Sequence, residues 1–170
     1  MKNEKNNGNR HQDLLQAKLC DWPRLEAKLN AWRLDGARVV FTNGCFDLLH
    51  LGHIDYLTKT ADLGDKLIVA VNTDASVRKL KGANRPIQDE QSRARPLAAL
   101  EAIDAVILFD EDSPLHLITQ IKPDVLVKGG DYTIDTIVGS DVVLNAGGNV
   151  EVIPFLEGYS TTAIEQKIKG

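Results

Sequence analysis

Short apolar runs alternate with amphipathic stretches along most of the chain. The runs are nearly continuous in Val, Ile and Leu, which is typical of strands buried on both faces of a sheet, and the stretches between them have helical spacing. Strands are predicted at 38–43, 66–71, 105–109, 124–128 and 149–155, and helices at about 52–63, 89–101, 113–121, 134–146 and 160–169. This alternation predicts an α/β fold, a Rossmann-like doubly wound five-stranded parallel sheet with its ligand site at the C-terminal strand ends.

The N-terminal part of the chain has a different pattern. Apolar residues recur every three or four positions from Asp13 to Leu34, which predicts helix with an interruption near Pro23. The first twelve residues, MKNEKNNGNRHQ, are polar and lack the apolar region of a signal peptide. The predicted organisation is a disordered tail at 1–12, a helical extension at 13–35 and one α/β domain at 38–170.

Composition and charge exclude several classes of protein. The 170 residues are 43% hydrophobic and 26% charged, and no apolar run approaches the roughly 18 residues of a membrane span, so we expect a cytoplasmic protein without a membrane partner. The net charge of −4, without a basic stripe, argues against a nucleic-acid partner. Cys20 and Cys45 are far apart, which disfavours a disulfide framework and a cysteine-based zinc site.

The segment TNGCFDLLHLGH, residues 42–53, follows the first predicted strand and leads into the next helix. His50 and His53 would then lie beside the free backbone N–H groups at the positive end of that helix, where phosphate binds well. Gly44 and Gly52 favour the same interpretation, because a backbone without Cβ lets a ligand approach closely. Both the G-x-G-x-x-G and the P-loop patterns are missing, so phosphate would be held by a different device.

Two other interpretations of the histidine pair remain open. One is a metal site that combines the pair with Asp47, although zinc-binding histidines on one helix are usually four residues apart and no fourth ligand is evident. The other is a purely structural role. No direct metal ligand is therefore predicted.

Three further segments carry polar groups where ligands often bind. Residues 128–132, KGGDY, directly follow the fourth predicted strand, at the edge where open α/β sheets bind ligands. The segment 160–162, STT, precedes the last helix, where an N-cap is the simple alternative. Residues 79–90, KLKGANRPIQDE, predict a long mobile loop, here called the flap, and a solvated surface is the simple alternative for its basic side chains.

Taken together, TNGCFDLLHLGH, VNTDASVRKLKG, RPI, LVKGGDY and GYSTTAI resemble the cytidylyltransferase-like nucleotidyltransferase superfamily with the HxGH signature. Within it they are most similar to the D-glycero-β-D-manno-heptose 1-phosphate adenylyltransferases. The resemblance extends from about residue 38 to the C-terminus, and LVKGGDY is the segment that differs in glycerol-3-phosphate cytidylyltransferases. In many bacteria the adenylyltransferase is fused behind a sugar kinase, so the resemblance implies a stand-alone domain without the kinase half.

The family resemblance also implies roles for individual residues. The predicted catalytic residues are His50, His53 and Lys81. The predicted nucleotide- and phosphate-binding residues are Asn43, Gly44, Cys45, Phe46, Gly52, Arg93, Lys128, Gly129, Gly130, Asp131, Ser160, Thr161 and Thr162. In the family, the two histidines stabilise charge at the α-phosphorus, and the lysine of the flap meets the triphosphate or the sugar phosphate.

The remaining implied roles concern the two ends of the nucleotide. The turn at 129–131 would hold the base and ribose, and Ser160 and Thr161 would bind the β- and γ-phosphates at a helix N-terminus. Phe46 would pack under the phosphate-binding turn. Pro96 is unexpected inside the helix that carries Arg93.

The implied reaction converts ATP, with Mg²⁺, and D-glycero-β-D-manno-heptose 1-phosphate to ADP-heptose and pyrophosphate, for lipopolysaccharide core or another surface glycan. Rival hypotheses are a cytidylyltransferase acting on glycerol 3-phosphate or another polyol phosphate, a non-catalytic nucleotide-binding module, and a zinc-dependent hydrolase. The choice among ATP, CTP and GTP stays open. The N-terminal helix with Trp22 and Trp32 could serve a homodimer interface or pack on its own domain.

Overall fold

Six parallel strands form one sheet in residues 10–170, the part of the chain that the computed structural model describes. The strands are β1 (Leu19–Cys20), β2 (Val39–Gly44), β3 (Lys66–Asn72), β4 (Ala105–Phe109), β5 (Val125–Gly129) and β6 (Asn149–Ile153). Their order is β1-β4-β3-β2-β5-β6. After β2 the chain adds β3 and β4 on one side of that strand, and then β5 and β6 on the other side. The C-terminal ends of β2 and β5 therefore border a topological switch point, where such sheets bind ligands.

Helices cover both faces of this sheet. They are α1 (Arg10–Lys18), α2 (Trp22–Leu34), α3 (Leu51–Ala61), α4 (Asp74–Lys81), α5 (Glu90–Ala99), α6 (Leu115–Ile121), α7 (Ser140–Asn145) and α8 (Thr161–Lys169), with a 3₁₀ turn at Ile134–Thr136. Val39 and Phe41 of β2 belong to the core under α2, α6 and α7, whereas Val40 belongs to the core under α3 and α5. Alternate residues of a strand point to opposite faces, so apolar residues at every position were needed to fill two cores.

The prediction of five strands is wrong by one, because the N-terminal extension contributes β1. Leu19 and Cys20 pair in parallel with Val106 and Ile107 at the free edge of β4. A strand of two residues is too short to show the alternation of apolar and polar positions. Its backbone pairing depends on β4, which lies far away in the chain. The extension is thus two helices around a strand, and Asp21 caps the second helix by accepting from the Arg24 N–H at 3.0 Å.

Other boundaries also differ from the prediction. Arg10, His11 and Gln12 begin α1 instead of belonging to a tail, and residues 1–9 lie outside the described part of the chain. The first residues of the flap complete α4, a helix missed by the prediction. Thr73 caps α4, and Gly82, with a φ of 93°, ends it. Pro96 lies well past the first turn of α5.

The N-terminal extension packs on its own domain. Leu25 and Leu29 of α2 are buried in the core with residues of β2, β3 and β4. Arg33 of the same helix donates a hydrogen bond to the Ile121 carbonyl at the end of α6. Within residues 10–170, every helix is too short or too polar to cross a membrane.

We expect Leu25→Ala to lower the free energy of unfolding by about 2–5 kcal/mol, because the Leu25 side chain is 0% exposed and its loss leaves a cavity. Leu34→Ala is the matched control in the same helix, since Leu34 is 89% exposed and its loss should change stability by at most about 0.5 kcal/mol. Urea denaturation measures both values. Equal values for the two variants would contradict the placement of α2 in the core.

Candidate active site

A cleft of about 510 Å³ opens at the C-terminal ends of β2, β3, β4 and β5. It lies beside the topological switch point, at the C-terminal strand ends where the sequence predicts a ligand site. Nine of the predicted site residues line it: Asn43, Gly44, Cys45, Phe46, His53, Lys81, Lys128, Gly129 and Thr161. These residues come from segments more than 100 positions apart in the chain, so the fold brings the separate motifs to one place.

The turn after β2 forms the floor of the cleft and is called the signature turn here (residues 43–50). Phe46 takes a left-handed backbone conformation, with a φ of 48°, and is buried. Its ring meets the His53 ring edge to face, with centroids 5.2 Å apart. Phe46 therefore packs under the turn and supports a histidine that lines the cleft.

His50 and His53 form a stacked pair at the start of α3. Their ring centroids are 3.8 Å apart and their planes differ by 18°. His50 caps the helix, because its Nδ1 accepts from the His53 backbone N–H at 3.3 Å. A nitrogen that accepts this bond carries no proton, so the neutral His50 ring carries its proton on Nε2.

The two imidazoles are held in the neutral form. Burial lowers the pKa of His50, and burial together with the adjacent His50 lowers the pKa of His53 to about 4. The His53 Nδ1 atom is buried and has no hydrogen-bond partner among the described residues. At neutral pH this pair thus provides uncharged N–H donors instead of cations.

Gly52, between the histidines, makes room for the segment that precedes α8. A Cβ on this residue would lie 3.1 Å from His50 Nδ1 and 3.2 Å from the Cβ of Tyr159. Any other residue would push Tyr159 or the His50 ring away by a few tenths of an ångström. The glycine thereby allows the STT segment to approach the histidines.

Two lysines approach the cleft from opposite sides. Lys81, the last residue of α4, lines it on the flap side. Lys128, near the end of β5, donates to the Asn43 side-chain oxygen at 3.4 Å. Burial lowers the pKa of Lys128. The cleft therefore combines neutral donors at its floor with cationic side chains at its walls.

The STT segment lies at the N-terminus of α8. Ser160 accepts from the Ala163 N–H at 3.0 Å, so the capping interpretation of this residue is confirmed. Thr161 lines the cleft, whereas Thr162 is exposed and lies outside it. The positive end of a helix therefore faces the cleft beside Thr161.

The KGGDY turn is partly covered by an aromatic ring. A Cβ on Gly129 would lie 2.5 Å from Phe155, and Gly130, with a φ of 117°, lies under the same ring. Asp131 is exposed and lies outside the cleft lining. Phe155 is 60% exposed, and together with Tyr132 it gives this end of the cleft an aromatic wall that sequence reasoning missed.

Arg93 does not reach the cleft, contrary to the expected contact with nucleotide. Its side chain is buried, and it donates to the Cys45 carbonyl at 2.7 Å, the Gln88 carbonyl at 3.0 Å and the Asp74 carboxylate at 2.8 Å. With these acceptors around it, the guanidinium is held under the signature turn and away from the cleft. Arg93 therefore supports the turn from inside the protein.

Tyr56 is a cleft residue that the sequence analysis overlooked. Its hydroxyl donates to the Val127 carbonyl at 3.3 Å and hydrogen bonds with the Thr42 hydroxyl at 2.7 Å. Burial raises the pKa of Tyr56 to about 12. This residue links β2 to β5 across the switch point. The sequence could have indicated Tyr56 through its position three residues after His53 in α3, because residues with this spacing share one face of a helix.

Asp47 is the residue that a metal site would combine with the histidine pair. Its buried carboxylate instead accepts from Arg85 at 2.8 Å and from the Ile87 and Gln88 backbone N–H groups at 2.7 and 3.1 Å. Burial acts to raise the pKa of Asp47, but these hydrogen bonds outweigh it and the pKa is lowered. Among residues 10–170, no group of three or more His, Cys, Asp or Glu side chains is placed to hold a metal ion.

Residues 41–167 match the cytidylyltransferase-like family. The chain belongs to this family. The bifunctional protein HldE of Bradyrhizobium diazoefficiens is 56% identical over 146 residues, which cover 86% of this chain and 30% of that protein. HldE of Geotalea uraniireducens is 52% identical over 162 residues, covering 95% and 33%. This family member thus spans about a third of the length of these relatives.

Solved structures with related folds agree with the assignment to the cytidylyltransferase-like family. The lipopolysaccharide core biosynthesis protein of Thermoplasma volcanium is 32% identical, with a TM-score of 0.58, and the match covers 74% of this chain and all of that one. The pantoate-β-alanine ligase of Francisella tularensis has a TM-score of 0.57 at 16% identity, over 89% of this chain and 76% of that one, which shows a shared fold alone. The predicted family and α/β fold class are confirmed.

The depressed pKa of His53 makes a testable contribution to stability. Because its folded pKa of about 4 lies below the ordinary 6.5, the unfolded chain binds more protons between these values. The contribution is fully present above pH 6.5 and is lost as the pH falls toward 4. Between pH 7 and 4.5 the free energy of unfolding should therefore fall by roughly 1–2.5 kcal/mol less in His53→Gln than in the unmodified protein.

Urea denaturation at the two pH values measures this difference. His116→Gln is the control, since the His116 side chain is 66% exposed and does not line the cleft. An equal pH dependence in the protein and in His53→Gln would show that burial does not hold His53 neutral.

Proposed function

We propose that this chain transfers the adenylyl group of ATP to D-glycero-β-D-manno-heptose 1-phosphate and releases pyrophosphate. The observation that supports this proposal is the convergence of the family motifs on one cleft: the signature turn, His53, Lys81, the start of KGGDY and Thr161. The similarity to a protein named for lipopolysaccharide core biosynthesis supports a sugar acceptor. The motif resemblance to heptose 1-phosphate adenylyltransferases supports the choice of heptose and ATP.

The chemistry requires no covalent intermediate with the protein. A phosphate oxygen of the sugar phosphate attacks the α-phosphorus, and the bond to the oxygen that bridges to the β-phosphate breaks. That oxygen keeps the electron pair and leaves as part of pyrophosphate. Such transfers depend mainly on positioning and on neutralising charge, and Mg²⁺ would enter with ATP as part of the substrate.

The histidine pair suits the α-phosphate. The Nε2–H of His50 is left free by its capping bond, and His53 lines the cleft as a neutral donor. Donors fixed in advance stabilise the charge that develops in the transition state without reorganising during the reaction. Lys81 and Lys128 supply the positive charge that the neutral imidazoles lack.

The leaving group and the base would occupy opposite ends of the cleft. Thr161 and the N-terminus of α8 suit the β- and γ-phosphates, because free N–H groups and the helix dipole attract anions. Phe155 and Tyr132, beside Gly129, provide aromatic surface for the base. The acceptor sugar would lie toward the ends of β3 and β4, where Asp112 lines the cleft with an exposed carboxylate.

The substrate is tested by measuring pyrophosphate release with Mg²⁺, with ATP, CTP and GTP each combined with both anomers of D-glycero-D-manno-heptose 1-phosphate and with glycerol 3-phosphate. We expect turnover with ATP and the β-anomer. Turnover only with CTP and glycerol 3-phosphate would keep the chemistry and overturn the substrate. Release with none of the combinations would favour a non-catalytic nucleotide-binding module.

His53→Ala should lower kcat about 100- to 1,000-fold, because it removes one donor to the charge that builds in the transition state. The KM for ATP should change far less. His116→Ala, an exposed histidine outside the cleft, is the matched control and should retain full activity. A raised KM with an unchanged kcat would show that His53 binds the nucleotide without stabilising the transition state.

A further inference from the structure

The helix that presents Thr161 to the cleft has little apolar packing to hold it. None of the residues of α8 is buried. Helices in proteins are stabilised chiefly by the packing of an apolar face, so α8 must be positioned by other contacts. Its orientation matters to the site because Ser160 and Thr161 lie at its first turn.

One such contact comes from Arg85 in the flap. Its guanidinium lies between two carboxylates, with one nitrogen 2.8 Å from the buried Asp47 and the other donating to Glu165 of α8. Asp47 belongs to the signature turn and also binds the Ile87 and Gln88 N–H groups of the flap. Arg85 therefore joins the signature turn, the flap and α8.

The geometry of this contact suits an arginine. A guanidinium presents several donors in a rigid fork and can serve two carboxylates at once, whereas a lysine ammonium acts as a single point charge. The Arg85 side chain is 18% exposed and Glu165 27%, so water screens the pair less than it screens a surface ion pair. Lys169 also binds Glu165, at 3.1 Å, but its side chain is 74% exposed.

We propose that Arg85 is a positioning residue that holds the N-terminus of α8, with Ser160 and Thr161, against the signature turn. The consequence for nucleotide binding rests on the function proposed above, in which this N-terminus receives the β- and γ-phosphates. Arg85 itself contacts no substrate in this arrangement. It fixes in advance the distance between the groups that bind the α-phosphate and those that bind the leaving group, which lowers the entropy lost on binding.

The test compares Glu165→Ala, which cuts the link from Arg85 to α8 and leaves the link to Asp47, with Lys169→Ala, which removes only the exposed partner of the same carboxylate. Hydrogen exchange of the α8 backbone amides in the free protein reports how firmly the helix is held in place. Calorimetry with Mg²⁺ and a non-hydrolysable α,β-methylene ATP reports nucleotide affinity. Urea denaturation confirms that each variant is folded.

We expect Glu165→Ala to speed exchange in α8 and to weaken binding of the analogue, each by about tenfold, and Lys169→Ala to change neither. Arg85→Lys should give an intermediate result, since it keeps the charge and loses the fork. Unchanged exchange and affinity in Glu165→Ala, or equal effects in Lys169→Ala, would overturn the proposal. If the unmodified protein fails to bind the analogue, that failure counts only against the proposed function. Hydrogen exchange in α8 still tests the positioning role in that case.

Discussion

The signature turn is held by two arginines, and the rest of the cleft depends on this arrangement. A turn that lines an open cleft cannot be covered by apolar side chains on that side, so it must be fixed from behind. Arg93 binds the Cys45 carbonyl from inside the protein, and Arg85 binds the Asp47 carboxylate from the flap. Burying a guanidinium is costly unless its donors are paired, and the carboxylate of Asp74 and nearby carbonyls pair those of Arg93.

Charge is divided between two kinds of side chain in this cleft. The histidines stack on each other under partial burial, which disfavours a proton on both rings and leaves them as neutral donors. The lysines approach the cleft from the flap and from β5, and they supply positive charge that the neutral imidazoles do not carry. The same burial that lowers the pKa of His53 therefore also prepares it to donate at neutral pH.

The flap shows how local signals and distant contacts combine. Its polar composition, with Gly82 and Pro86, predicted a long loop, yet Thr73 caps a helix that extends to Lys81. The second half of the flap is ordered by the carboxylate of Asp47, which lies some 40 residues earlier in the chain. A loop whose backbone donors bind a buried carboxylate cannot be recognised from its own composition, because the acceptor is supplied by the fold.

The sequence by itself determined the α/β class, five of the six strands, the family and half of the residues that line the cleft, since apolar periodicity and short motifs are local properties. Only the tertiary structure decided the pairing of Leu19 and Cys20 with β4, because a two-residue strand takes its partner from a distant edge. It also decided that Arg93 lies under the turn, that Tyr56 joins β2 to β5, and that Phe155 covers the KGGDY turn. Each of these depends on contacts between residues far apart in the chain, which no local pattern encodes.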